Sequence, residues 1–196
     1  KKKILCREKG YHGSSYLAAT VSGTGREHDR RYMDTHHDLA IMLPNINPYI
    51  RPIGTSVEEW CNAKISEMEE TILSIGPDQI GCFIAEPILA SGGVIVPPPG
   101  YHQRSLELCK KHDIVYISDE TVTGFGRLGH WFASKEIFGI QPDIITCAKG
   151  LTSGYLPMGA AIISESLIDS IKNKDGSQPF TNGYTYSCHP VAAKAA

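Results

Sequence analysis

The longest regular pattern of apolar positions in the chain lies between Ser56 and Ile75. Apolar side chains recur there at steps of three to five residues, at Val57, Trp60, Ile65, Met68, Ile72 and Ile75. This spacing places them on one face of a helix. Ser56 suits the N-cap of that helix, and Gly76-Pro77 marks its end.

Several shorter apolar runs have the length of buried strands, namely Lys3–Arg7, Ile80–Ala85, Ile114–Ile117, Ile144–Cys147 and Gly159–Ile163. The segments Ser14–Thr20 and Tyr101–His112 are predicted helices, and residues 21–54 are predicted to form a long loop. Runs that are apolar on both faces and separated by helices are typical of a parallel sheet covered on two sides. The pattern predicts an α/β fold, with an open, mostly parallel sheet and helices on both faces.

Composition narrows the class of protein. The 196 residues carry a formal net charge of −2, with 41% hydrophobic and 20% charged residues. These values suit one globular domain and exclude a disordered chain, a collagen-like repeat and a coiled coil. The near-neutral charge argues against a nucleic-acid binder, which is usually basic. Because no apolar run approaches about 20 residues and no signal-peptide segment follows the first lysines, we expect a soluble, cytoplasmic protein without a membrane partner.

The cysteines and histidines suggest neither a disulfide framework nor a metal centre. The six cysteines are widely spaced and include no C-x-x-C pair. The pairs His36-His37 and Cys188-His189 contain ligand types, but adjacent side chains rarely converge on one ion. No second pair lies at helical or zinc-finger spacing. We therefore predict no metal site.

Ionisable residues follow three of the predicted strands. Glu86 follows the run that ends at Ala85, Asp119-Glu120 follows the next run, and Lys149 follows the run that ends at Cys147. Each alone is explained as the point where a buried strand reaches water. In open α/β sheets, however, ligands bind in the crevice outside the carboxyl ends of the strands. Together these residues predict one crevice that holds two acids and a lysine.

Two interpretations of this lysine stay open on spacing alone. An ion-paired structural lysine is the simpler one. Alternatively, an amine in a partly desolvated site loses its proton and attacks an aldehyde, forming a Schiff base. Asp119 would then suit a pyridinium nitrogen, because a carboxylate keeps such a ring protonated and able to stabilise carbanions. Gly150, Ser153 and Gly154 would let a flat cofactor approach the backbone.

Longer motifs add a family resemblance. The segment from Asp119 to Arg127 reads DETVTGFGR, and it is followed by Phe132-Ala133, Phe138-Gly139, Pro142-Asp143-Ile144 and Ala148-Lys149-Gly150-Leu151. Further motifs are Tyr11-His12-Gly13, Ala85-Glu86-Pro87, Gly154-Tyr155-Leu156-Pro157, Gly159-Ala160, Thr185-Tyr186-Ser187 and His189-Pro190. In this order the motifs are highly specific, and from about residue 4 to the end the chain closely resembles the class III (omega) aminotransferases. These enzymes depend on pyridoxal 5'-phosphate and have the aspartate-aminotransferase fold, type I.

The resemblance implies a role for particular residues around the cofactor. Lys149 would form the Schiff base with pyridoxal phosphate and, once released, move a proton between substrate and cofactor. Asp119 would pair with the pyridine nitrogen. Tyr11 would stack on one face of the ring, with His12 and Gly13 beside it.

Further residues complete the implied site. Glu86 would lie on the substrate side, where relatives use it in a switchable ion pair with an arginine. Thr121 stands where many relatives have a valine that packs against the other ring face. Thr185 would reach the cofactor phosphate of a neighbouring subunit, so the resemblance implies a homodimer with shared active sites. Arg127 is expected to support the Asp119 loop rather than to touch substrate.

One motif in this region suggests a different cofactor. Residues Gly124 to Gly129 fit G-x-G-x-x-G, the dinucleotide fingerprint. That fingerprint needs a strand directly before it and a helix that opens on it. Here the predicted strand ends at Ser118, several residues earlier, so we reject nicotinamide dinucleotide binding.

The resemblance also bears on completeness and on activity. Chains of the family are considerably longer, so residues 1–196 are expected to be a central part of the large, cofactor-binding domain. The N-terminal phosphate-binding segment, the small C-terminal domain and the arginine that binds a substrate carboxylate are expected to lie outside it. The expected reaction transfers an amino group between an amine or omega-amino acid and a keto acid such as pyruvate. The alternatives are a non-catalytic fragment that binds pyridoxal phosphate at most weakly, and another reaction of this cofactor, such as a decarboxylation or an aminomutase reaction.

Overall fold

The computed structural model describes residues 2–23, 32–36, 38–172 and 182–196. His37, considered above as a metal ligand, lies outside the described residues.

A six-stranded sheet forms the centre of the fold. Its strands are β1 (Lys3–Arg7), β2 (Ala40–Leu43), β3 (Ile80–Ala85), β4 (Val115–Asp119), β5 (Ile144–Cys147) and β6 (Ala160–Ile163). They lie in the order β2-β1-β3-β4-β5-β6. The first five run parallel, and β6 pairs antiparallel with β5. The predicted open, mostly parallel sheet is confirmed.

Two details of the sheet differ from the sequence-based expectation. The segment 21–54 is not wholly a loop, because β2 lies within it and pairs with β1, with Leu5 opposite Ile41. This strand has four apolar residues, but the segment around it is rich in Gly, Pro, Asn and His, a composition that favours a loop. The last strand is the exposed edge of the described sheet and does not have two covered faces.

The helices connect the strands. They are α1 (Tyr16–Thr20), α2 (Val57–Ile75), α3 (Tyr101–Lys111), α4 (Ala133–Glu136), α5 (Glu165–Ile171) and α6 (Pro190–Ala195), and short 3-10 turns span Pro48–Ile50, Pro77–Gln79 and Lys149–Thr152. Since crossovers between parallel strands are right-handed, the strand order places α1, which lies between β1 and β2 in the chain, on one face of the sheet. The connections from β2 to β3, β3 to β4 and β4 to β5 cover the other, and α2 and α3 contact each other there.

The helix predicted from the longest pattern begins and ends as expected. Ser56 is the N-cap of α2, and its hydroxyl accepts a hydrogen bond from the Glu59 backbone N–H at 3.1 Å. The Glu59 carboxylate accepts in return from the Ser56 backbone N–H at 2.7 Å, which completes a capping box. Gly76 ends the helix with a φ of 95°, a conformation that favours glycine.

The hydrophobic core lies between the sheet and the helices α2 and α3. Phe83 and Tyr116 from neighbouring strands are fully buried, and their rings meet edge to face with centroids 5.4 Å apart. Met68 and Ile72 of α2 and Cys109 of α3 are also fully buried. The six cysteines are free thiols. Among the described helices, none has the length and apolarity that crossing a membrane requires.

Candidate active site

The structure brings the ionisable residues at the strand ends to one edge of the sheet. Asp119 is the last residue of β4, Glu86 directly follows β3, and Lys149 lies two residues after β5. The register pairs Asp119 with Thr146, so Lys149 stands three residues beyond the partner of Asp119. Because β3, β4 and β5 are parallel, their carboxyl ends meet at this edge.

Asp119 is buried and held by several hydrogen bonds. Its Oδ2 lies 2.7 Å from Nδ1 of His12, and its Oδ1 accepts from the Thr121 backbone N–H at 3.1 Å and from the Thr146 hydroxyl at 3.0 Å. Burial by itself raises the pKa of this carboxyl, but the hydrogen bond and electrostatic attraction of His12, with the hydrogen bonds from Thr121, bring the pKa below its ordinary value. Asp119 is therefore a buried carboxylate that stays ionised at neutral pH.

His12 lies against this carboxylate. Since an ionised carboxylate only accepts hydrogen bonds, Nδ1 of His12 carries the proton of their 2.7 Å contact. The side chain is 3% exposed, and its Nε2 is buried without a hydrogen-bond partner among the described residues. The backbone N–H of His12 donates to the Ser22 hydroxyl at 3.0 Å, which fixes the loop that carries the ring.

Glu86 braces the segment that contains Tyr11. One carboxylate oxygen accepts from the Tyr11 backbone N–H at 2.8 Å, and the other accepts from the Ala90 backbone N–H at 3.0 Å. Burial, the largest influence, raises the pKa of Glu86 above its ordinary value, although these hydrogen bonds oppose it. Gly13 has a φ of 131°, and an added Cβ would lie 3.0 Å from that of Ala18, so the turn after His12 requires glycine.

Lys149 projects from a strained turn. Its φ is 46°, in the left-handed region that non-glycine residues rarely adopt, and the residue is exposed. The next residue, Gly150, lies so close to Phe125 that an added Cβ would be 2.9 Å from the Phe125 Cβ. Strained backbone of this kind persists only where surrounding contacts enforce it, and it clusters at functional sites.

The remaining predicted residues differ in their exposure and in their contacts. Thr121 is half-buried beside Asp119 through its backbone bond. Arg127 is exposed and donates to the Val122 carbonyl at 3.2 Å, which supports the loop after Asp119. Thr185 is exposed in a turn before α6. Neighbours of that turn and the segment before β6 line a cleft of about 510 Å³.

Two polar residues that sequence reasoning left without a role belong to the site. Thr146 donates to Asp119, and Glu120, the next residue in the chain, is a fully buried acceptor. The sequence does point to Thr146, because it is the one residue with a hydroxyl group in the otherwise apolar run of β5. For Glu120, only its place after a buried strand was visible in the sequence.

The glycine-rich segment after Asp119 does not have the geometry of a dinucleotide-binding motif. Residues 121–128 form turns, and the next helix, α4, begins only at Ala133. A dinucleotide fingerprint requires a helix that starts within the motif, with its N-terminus aimed at the pyrophosphate.

The arrangement suits a flat aldehyde cofactor with a protonated ring nitrogen. The ionised, buried carboxylate of Asp119 matches a positive ring nitrogen, and the exposed amine of Lys149 is a nucleophile for an aldehyde. These residues therefore fit pyridoxal phosphate.

Comparison with known proteins agrees with this chemistry. A model of the family Aminotransferase class-III matches residues 1–196. The vanillin aminotransferase of Capsicum frutescens is 42% identical over the whole chain, which covers 42% of that protein. The mitochondrial gamma-aminobutyrate transaminase 1 of Oryza sativa subsp. indica is 41% identical, and the chain covers 38% of it.

A solved structure gives the same result. The omega-transaminase of Pseudomonas jessenii in complex with PMP superposes with a TM-score of 0.91 at 37% identity, over 100% of this chain and 43% of that one. The chain thus spans about two fifths of the length of its relatives. It belongs to the class III aminotransferases, a family of enzymes that use pyridoxal phosphate.

Proposed function

We propose that this chain is the cofactor-binding part of a transaminase that exchanges an amino group between an amine or omega-amino acid and a keto acid such as pyruvate. The observation that carries the proposal is the buried, ionised Asp119 at the same sheet edge as the exposed Lys149. We assign residues 1–196 to the large, cofactor-binding domain, with an N-terminal segment and a small domain outside them.

Each site residue has a proposed task toward pyridoxal phosphate. Lys149 binds the cofactor through Nζ, and Asp119 pairs with the ring nitrogen. Tyr11 stacks on one face of the ring and Thr121 packs against the other, with His12 and Gly13 beside the tyrosine. When bound, pyridoxal phosphate supplies a ring that withdraws electrons from the substrate carbon next to the amine.

The chain's own groups control charge and protons around that ring. Asp119 keeps the ring nitrogen protonated, because the contacts from His12 and Thr121 favour its ionised form. Nζ of Lys149 would move the proton to and from the substrate carbon, because Lys149 follows β5 at the sheet edge where Asp119 ends β4. Glu86 keeps Tyr11 in place through the Tyr11 backbone N–H, and its proposed place on the substrate side rests on the resemblance to the family.

The substrate class rests on the site and on the names of the relatives. Those names include vanillin aminotransferase, gamma-aminobutyrate transaminase and omega-transaminase. A panel of amines and omega-amino acids with pyruvate as acceptor, assayed with the full-length protein that contains residues 1–196, tests the proposal, with alanine as the measured product. We expect alanine from at least one donor, and none from the Lys149→Ala variant. Equal alanine from that variant, or none from any donor, would contradict the proposed reaction.

We also propose a homodimer, in which Thr185 contacts the cofactor phosphate of the neighbouring subunit. The exposed turn that carries Thr185 supports this, because the residue is free to meet another chain. Light scattering after size-exclusion chromatography should give the mass of a dimer, and a monomer at working concentration would refute the shared site.

The cytoplasmic location remains a prediction from the sequence. Relatives differ in location, and the rice transaminase is named as mitochondrial.

A further inference from the structure

A second carboxylate, next to Asp119 in the chain, has no part in the proposed chemistry. Glu120 is 0% exposed and accepts four hydrogen bonds. Oε2 accepts from the Thr123 hydroxyl at 2.7 Å and the Ala133 N–H at 2.8 Å, and Oε1 accepts from the N–H and the hydroxyl of Ser134 at 2.7 and 2.5 Å. The Ser134 hydroxyl has one proton, which goes to the carboxylate, so Ser118 donates to Ser134 across their 2.8 Å contact.

These bonds join the two ends of the loop between β4 and α4. Glu120 stands at the start of the loop, and Ala133 and Ser134 open α4 at its end. Their N–H groups lie in the first turn of a helix, where no carbonyl of the same helix can accept from them. The buried carboxylate is therefore the group that closes the loop, and an uncompensated donor would remain if it were lost.

The closed loop holds Phe125 against the turn of Lys149. The Phe125 N–H donates to the Trp131 carbonyl at 2.7 Å, and the Phe125 ring meets that of Phe132 edge to face at 5.5 Å. Phe125 has a φ of 57°, a strained value that these contacts must enforce. Its Cβ packs directly on Gly150, the neighbour of Lys149.

Glu120 is also connected to Asp119, through Thr146 of β5. The Glu120 N–H donates to the Thr146 carbonyl at 2.8 Å, while the Thr146 hydroxyl donates to Asp119. Glu120 thus connects Asp119, through β5, with the loop that packs on the Lys149 turn. The two neighbouring carboxylates have different partners, because Asp119 accepts from Thr121 and Thr146 while Glu120 accepts from residues of the loop and of α4.

We propose that Glu120 is a positioning residue, which sets the position of Lys149 relative to Asp119 by closing the loop that carries Phe125. This inference rests on the proposed function, since it concerns where the lysine stands relative to the ring-binding carboxylate. Its consequence is that removing the charge of Glu120 alters cofactor binding without touching a group that contacts the cofactor.

The test compares Glu120→Gln with two controls in the full chain. The glutamine has the same shape, but in either orientation its NH2 group faces the backbone N–H of Ala133 or of Ser134 and leaves that donor unpaired. Glu107→Gln removes an exposed charge from α3, and Ile72→Val destabilises the distant core. For each protein, the dissociation constant of pyridoxal phosphate and the pH midpoint of its visible band on Lys149 are measured.

We expect Glu120→Gln to bind the cofactor about tenfold more weakly, the scale seen when a group that orients a ligating residue is lost. Its band midpoint should move by about 0.5 pH unit or more, while both controls keep the wild-type values. Ser134→Ala, which removes one donor to Glu120, should change the dissociation constant and the pH midpoint in the same direction as Glu120→Gln, but by a smaller amount. It replaces Glu120→Gln as the test if that variant fails to fold.

The outcomes separate this inference from the proposed function. A wild-type band on Lys149 with unchanged binding and midpoint in Glu120→Gln and Ser134→Ala would overturn the positioning role alone. Equal changes in Ile72→Val would also overturn it, because they would trace to stability. A wild-type protein without the band would refute the proposed function, and the inference with it.

Discussion

His102, a buried histidine outside the site, gives the sharpest prediction of how stability depends on pH. It is 2% exposed and lies between the Tyr116 hydroxyl, at 2.9 Å from Nδ1, and the Pro87 carbonyl, at 3.0 Å from Nε2. Since a carbonyl can only accept, Nε2 carries the proton and Nδ1 accepts from Tyr116. Burial, the main cause, lowers the pKa of His102 from 6.5 to about 4.

The sign of the effect follows from where the proton binds. As the pH falls below 6.5, the unfolded chain protonates His102, while the folded protein does not until the pH nears 4. The free energy of unfolding is therefore unaffected by protonation of His102 well above pH 6.5, and it decreases as the pH falls from 6.5 toward about 4. Integrating between the two pKa values gives a loss of about 3 kcal/mol in the free energy of unfolding, of which about 2 kcal/mol falls between about pH 7 and about pH 5.

Urea denaturation followed by circular dichroism measures this loss. His102→Gln keeps a donor for Pro87 but cannot bind a proton, so its stability should fall by about 2 kcal/mol less than that of the wild type between about pH 7 and about pH 5. His130→Gln, at an exposed histidine, should retain the wild-type pH dependence. Parallel curves for the wild type and His102→Gln would refute the assignment of His102 as a buried neutral group.

Two further substitutions test the helix cap and the cofactor carboxylate. Ser56→Ala should lower the free energy of unfolding by about 1 kcal/mol, because the Glu59 N–H loses its acceptor. The control Ser74→Ala, near the other end of α2, should change this free energy by less than about 0.5 kcal/mol. Equal effects of the two substitutions would contradict the capping box. Asp119→Asn should weaken binding of pyridoxal phosphate about tenfold to hundredfold, the scale of a charged hydrogen bond of about 1.5 to 3 kcal/mol, measured by equilibrium dialysis. The exposed Asp78→Asn serves as its control, and unchanged affinity in Asp119→Asn would contradict the pairing with the ring nitrogen.

Much of the fold was predictable because its strands are apolar on both faces. Runs such as Ile80–Ala85 and Ile144–Cys147 became strands with the predicted bounds, and Ser56 began its helix as expected. The strand Ala40–Leu43 was missed because the residues around it are rich in Gly, Pro, Asn and His, which favours a loop, and only its pairing with β1 shows it to be a strand.

The site was predictable in its residue types but not in its contacts. Strand-end positions indicated Asp119, Glu86 and Lys149, because parallel strands present their carboxyl ends at one edge. The bond between His12 and Asp119 joins residues 107 positions apart, and only the fold brings them together. Likewise, the donors to Glu120 return to it through a loop whose path depends on unusual backbone conformations at Phe125 and the glycines near it.

The central claim, that the crevice at the strand ends binds pyridoxal phosphate through Lys149, is tested most directly by reductive labelling. The protein is mixed with pyridoxal phosphate, its visible spectrum is recorded, the adduct is reduced with borohydride, and the labelled peptide is identified. We predict a distinct visible band before reduction and a label on Lys149. A label spread over surface lysines, without a distinct band, would contradict the claim.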